Sequence, residues 1–182
     1  MAVPSPHPSR DRPRRVVPPL DAAALDRLAL RYVERFATTR GRLAAYLTRK
    51  IRERGWDGDP ADPVAVAERM AALGYVDDRA FAEARGTALA RRGFGARRVT
   101  ADWRAAGIGE EDAGALAPEV EARAVEAALA FARRKRIGPY GTGEVDRDLR
   151  HKHLAAMLRA GHGMDLARRI VALAPGEDLP EQ

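Results

Sequence analysis

Four histidines, at positions 7, 151, 153 and 162, are the residues from which hydrolytic or metal chemistry would have to be built, because the chain has no cysteine. Without a thiol there is no disulfide scaffold, no thiolate nucleophile and no thiolate zinc site. His151 and His153 stand two apart, and on a helix such residues point in different directions, unlike the i, i+4 pair of helical zinc sites. His153 falls on an apolar stripe and is expected in the core. Gly93-Phe94-Gly95 and Gly141-Thr142-Gly143 are rich in glycine, but neither follows a strand nor completes a phosphate-loop or dinucleotide pattern. Asp77-Asp78 could hold a cation, yet a helix start accounts for both carboxylates. No active site, metal or cofactor is expected, and the lack of a carboxylate–histidine constellation argues against a hydrolase or nuclease.

The chemistry that remains is that of the guanidinium group. Arg91, Arg92, Arg97 and Arg98 surround the Gly93-Phe94-Gly95 turn. Arginine forks match carboxylate or phosphate, and Phe94 on the turn could anchor an interface. Arg133, Arg134, Lys135 and Arg136 form a second basic cluster; Arg49 and Lys50, with Arg52 and Arg54, form a third. All three are candidate partner contacts. Few aromatics lie inside the basic runs, which gives little support to stacking on single-stranded bases.

These residues must be held by helices, because apolar spacing is helical nearly throughout and strand alternation is missing. Leu25, Leu28, Tyr32 and Phe36 make a first stripe; Leu43, Leu47 and Ile51 a second, after the possible caps Thr38 and Thr39. Asp62-Pro63 opens a helix carrying Val66, Met70 and Leu73, stopped by Gly74. Asp77-Asp78 starts another through Phe81, Ala84, Ala88 and Leu89, and Val99, Trp103 and Ala106 form the next. Gly109 and three acids open a short helix. Pro118 suits the first turn of a longer one bearing Val125, Ala128, Leu129 and Ala132, and residues 137–143 read as a loop. Val145, Leu149, His153 and Met157 stripe the eighth helix; Leu166, Ile170 and Leu173 the ninth.

The glycines that end helices expose a repeat. Gly55, Gly107 and Gly161 lie 52 and 54 residues apart; Ile51, Trp103 and Met157 stand four residues before them, and Leu47, Val99 and His153 eight before. Anchors on one face and a residue tolerant of positive φ after the last turn explain the spacing. The sequence therefore predicts an all-α, elongated array of three tandem three-helix repeats, about nine helices. The expected divisions are a disordered Pro/Arg-rich tail over 1–19, repeats over 20–76, 77–117 and 118–174, and an acidic tail over 175–182. Units of about 50 residues bury too little to stand alone and should stack on their neighbours.

Charge follows the same organisation. The net value is +6, but it alternates: +5 over 40–54, −5 over 57–83, +4 over 91–104 and −5 over 110–126. A uniformly basic nucleic-acid wrapper would not carry the acidic blocks; alternation suits docking on a protein of mixed charge. Neither a secretory leader nor an apolar run of membrane length is read, so a cytoplasmic protein is expected. The principal alternative is a direct DNA binder of helix-turn-helix type, whose affinity for naked DNA would fall steeply with salt.

Three segments also carry a resemblance. Leu73-Gly74-Tyr75-Val76-Asp77-Asp78-Arg79-Ala80-Phe81-Ala82, then Arg92-Gly93-Phe94-Gly95-Ala96-Arg97-Arg98-Val99, then Ala106-Gly107-Ile108, resemble the RecX family of bacterial recombinase regulators. Residues 46–56 and 152–161 are similar to it as well, and the resemblance covers about Leu20 to Ala174. His153 stands where that family usually has an aliphatic residue, and His162 where it has an aromatic. The resemblance implies a monomeric modulator of RecA that lies in the groove of the RecA–single-stranded-DNA filament. There it would span neighbouring subunits and repress ATPase, strand-exchange and coprotease activities, and so affect recombination, DNA repair and the SOS response, with at most a weak nucleic-acid contact and no chemistry of its own.

Overall fold

The computed structural model describes residues 18–143 and 146–180. Most of the expected basic tail, Val145 and the last two residues lie outside that range. The described residues form nine α-helices: α1 (Ala22–Val33), α2 (Arg40–Arg54), α3 (Pro63–Ala72), α4 (Asp78–Arg91), α5 (Ala96–Ala105), α6 (Glu110–Ala122), α7 (Ala124–Lys135), α8 (Arg147–Arg159) and α9 (Met164–Ala172). A short 3₁₀ turn, Gly138–Tyr140, lies within the expected 137–143 loop. The fold is all-α, and none of these helices is long and apolar enough to cross a membrane.

The helix starts follow local chemistry. Asp21, Thr39, Asp62, Asp77 and Asp146 each accept a hydrogen bond from a first-turn amide. The helices then pack in triplets. Leu20, Leu25, Leu43, Leu47, Val66 and Met70 fill the core of α1–α3. Ala82, Leu89, Val99, Trp103 and Leu116 fill that of α4–α6; Ala128, Phe131, Met157 and Ile170 that of α7–α9. Gly55, Gly107 and Gly161 close α2, α5 and α8 with φ of 82°, 74° and 95°, the left-handed backbone their spacing implies.

Several side chains depart from the expected stripes. Phe36 lies three residues past the end of α1; its amide still donates to Tyr32 at 3.0 Å and its ring lies 5.2 Å from the Tyr32 ring, but at this end of the stripe it is 53% exposed. In α4 the core face is Ala82, Gly86 and Leu89, not Ala84 and Ala88. Gly86 sets that rotation, since a Cβ there would stand 3.0 Å from the Trp103 ring. Ala84 and Ala88 instead line an open groove of about 500 Å³ with Thr38, Tyr75 and Phe81, the last of which also packs against the second core.

Pro118 lies inside α6 rather than opening the next helix, which starts at Ala124. Leu116 and Val120 pack on the second core on both sides of it, and their burial offsets the roughly 3 kcal/mol that an interior proline costs. Val125 is 46% exposed because α7 turns Ala127, Ala128 and Phe131 inward. In α8 the core is carried by Met157, with Leu154 and Leu158 beside it. That face leaves Leu149 exposed and His153 only half-buried at its edge, rather than in the core. The segment after α9 folds back, with Leu179 against the third core and the Gly176 amide donating to the Pro139 carbonyl at 2.9 Å.

Candidate partner-binding surface

The surface grows from the turn between α4 and α5. Gly93, at φ 75°, ends α4: its amide donates to Ala90 at 2.8 Å, and that of Phe94 to Leu89 at 3.0 Å. A Cβ at Gly93 would lie 2.7 Å from the Phe131 amide nitrogen, so only glycine lets the turn rest on α7. Phe94 packs against both the second and third cores. Its ring is flanked by the guanidinium groups of Arg92 at 5.4 Å and Arg98 at 5.8 Å.

The second basic cluster meets the first here, although some forty residues separate them in sequence. Arg134 lies over the Phe131 ring at 5.3 Å and donates to the Arg92 carbonyl. Arg133 lies over Tyr140 at 4.9 Å. Arg91, Arg97, Lys135 and Arg136 are exposed. Among the described residues, none of these eight cations forms an ion pair. Aromatic faces hold four of the guanidinium groups in place, each contact worth about 0.5–1 kcal/mol, without neutralising them.

The third cluster is different. Lys50 pairs with Glu53 at 2.6 Å and Arg49 with the same carboxylate at 3.6 Å, and both lie over Tyr46. These two cations sit on α2, in the first triplet, and the fold does not bring them to the α4–α5 turn.

Two polar groups that matter escape a reading of sequence. Asp77 caps α4, but Asp78, 6% exposed, accepts from the Arg40 amide at 2.8 Å and its Nε at 3.0 Å. Arg40 also reaches Glu68 at 3.2 Å, so it ties α2, α3 and α4 together. Adjacent acids at a helix start look alike in sequence; only the approach of α2 separates the cap from the ion-pair partner. Asp78→Ala removes the acceptor of a charged donor and is expected to cost about 2 kcal/mol, read as a lower urea midpoint.

His162 is the second. It is 2% exposed, its Nε2 lies 3.1 Å from the Gly93 carbonyl, and its ring is tilted on Phe131. Burial holds the imidazole below its ordinary value of 6.5, and the Gly93 hydrogen bond offsets this only in part. The folded state therefore binds fewer protons than the unfolded chain below that pH. This contribution to stability is complete above about 6.5 and is lost as pH falls through the window beneath it. The urea midpoint should drop between about pH 7.5 and pH 5, and His162→Asn should flatten that part of the profile.

No group of three or more histidine, aspartate or glutamate residues that could hold a metal occurs among the described residues. Helix triplets meeting at glycine turns, with guanidinium groups on aromatic faces and, among the described residues, without ion pairs at one joint, define an all-α helical-repeat protein. No family model matches the chain. Regulatory protein RecX of Thermus thermophilus is 38% identical over 108 residues, covering 59% of this chain and 71% of that protein. Regulatory protein RecX of Myxococcus xanthus is 28% identical over 173 residues, 90% of each chain. The fold is similar to the crystal structure of RecX from Lactobacillus salivarius, with a TM-score of 0.63 at 18% identity over 82% of this chain and 93% of that one. The chain belongs to the RecX family of regulatory proteins.

Proposed function

We propose that this protein is a negative regulator of RecA, and that it acts as a monomer lying along the groove of the RecA–single-stranded-DNA filament. It restrains ATPase, strand-exchange and coprotease activities by occupying space between subunits, and thereby tunes recombination, repair and the SOS response in the cytoplasm. The three units expected over 20–76, 77–117 and 118–174, the last two parted after α6 at Ala122 rather than within it, are the parts that span successive subunits. The observation that carries the reading is the gathering of Arg92, Phe94, Arg98 and Arg134 at the α4–α5 turn in a member of the RecX family. A rigid aromatic anchor ringed by desolvation-tolerant guanidinium groups is the composition of an interface centre.

Titration into a RecA–single-stranded-DNA ATPase assay tests this, with a falling rate expected. A rate unaffected at saturating protein rejects the reading. The same cations would also meet phosphate. If naked DNA binds tightly, with a steep loss on raising salt, while RecA activity is untouched, the protein is a DNA binder instead.

A further inference from the structure

At two places the start of one triplet's middle helix docks on the end of the next triplet's middle helix. At the first, the Thr39 hydroxyl donates to the Ala106 carbonyl, and a Cβ on Gly41 would come within 2.9 Å of the Gly107 Cα. At the second, the Gly95 amide donates to Ala160 at 2.9 Å and the Arg97 amide to Gly161 at 3.2 Å. A Cβ on Gly95 would run into the Gly161 carbonyl. In both joints the incoming segment brings a donor to the helix-ending glycine turn and a glycine to the point of closest approach.

Gly55 ends the first middle helix, and among the described residues no triplet precedes it. Its carbonyl is nevertheless taken. The Leu20 amide donates to Gly55 at 3.0 Å, the Asp57 amide donates back to the Leu20 carbonyl at 2.9 Å, and Arg54 donates to the Pro18 carbonyl at 2.9 Å. Leu20 is wholly buried in the first core, entering it as Phe94 enters the third.

We infer that Pro18–Leu20 is a plug seated in a third copy of the inter-triplet joint, on an edge that fits the middle-helix start of a second copy of this chain. The far end of the molecule matches that role only in outline. The start of α8 places Asp146 at the cap position held by Gly95 in α5, and Asp148 at the position held by Gly41 in α2. Each working joint has a glycine at one of these two positions, Gly41 behind the Thr39 cap in the first and the Gly95 cap ahead of Arg97 in the second, whereas α8 has a glycine at neither. Head-to-tail growth, the hazard of any edge whose complement lies elsewhere on the same molecule, is thus blocked at both ends. Repeat arrays need such terminal closure to stay soluble.

The test is sedimentation velocity on the full chain across a concentration series. The parent, Leu20→Asp alone and Asp146→Gly/Asp148→Gly alone are expected to remain monomeric. The triple variant, opened at both ends, should associate with rising concentration; glycine is itself an acceptable cap, so α8 should still form. A folded triple variant that stays monomeric, or a parent that concatenates, overturns the inference. Amide exchange of the unaltered protein supplies a readout free of mutation. Leu20 and Asp57 should be protected as strongly as Gly95 and Arg97, and exchange at unstructured-chain rates would overturn the plug.

Discussion

Gly161→Ala is expected to lower the melting temperature by about 10 °C. At φ 95° the residue is in a conformation that L side chains resist, and an added Cβ would lie 2.5 Å from the Arg98 amide nitrogen and 2.7 Å from its Cβ. The first effect costs about 1–2 kcal/mol and overpacking about 1–3 more. For a chain of this size each kcal/mol is worth about 2–4 °C. The neighbouring Gly163 is the control. It has φ −65° as the cap of α9, and nothing lies within 4 Å of its added Cβ, so Gly163→Ala should shift the midpoint by no more than about 2 °C. Equal effects at both sites would mean that the α5–α8 joint is not a tight one.

Reversing Arg97 and Arg98 together, to Glu, should raise the concentration needed to slow the RecA ATPase by about 100-fold. Neither forms an ion pair among the described residues, and Arg98 is steadied by the Phe94 ring. Each reversal removes an attraction and adds a repulsion; at about 1.4 kcal/mol apiece that is two decades in affinity. Folding should be nearly unaffected, because both side chains are exposed and the joint uses the backbone of Arg97 rather than its guanidinium. Lys50→Ala, which removes a cation already committed to Glu53, should change inhibition less than about threefold. A double reversal that inhibits as well as the parent would dismiss this surface while leaving the family assignment intact.

The helices and their glycine stops were legible because each is written locally. Asp62-Pro63, Asp77 and the glycines at 55, 107 and 161 act on the backbone within one turn. Which face turns inward was less so. In α4 the bare Cα of Gly86 lets Trp103 in, a tertiary event that outweighs the apolar look of Ala84 and Ala88. Similarly, His162 rather than His153 became the buried imidazole, because the Gly93 carbonyl, 69 residues away, offers it a partner. Of the candidate contacts, the Arg91–Arg98 turn could be singled out from glycine and arginine spacing. Its meeting with Arg134 depends on how α7 packs against α4, which no local pattern encodes. In sequence Arg49 and Lys50 look as promising as Arg133 and Arg134; the Glu53 beside them is what satisfies them.

The two joints are unequal. Phe94, His162 and two backbone hydrogen bonds weld the second triplet to the third. Between the first and second, no backbone–backbone hydrogen bond crosses among the described residues; the tie includes the Arg40 ion pairs and amide, the Thr39 hydroxyl, Arg42 over the Phe81 ring and the contact of Gly41 with Gly107. On these contacts the joint beside the Phe81 groove is expected to act as a compliant wrist and the joint closed by Phe94 and backbone bonds as the stiffer rod. Salt weakens ionic ties more than buried carbon, so the wrist softens with ionic strength while the rod does not.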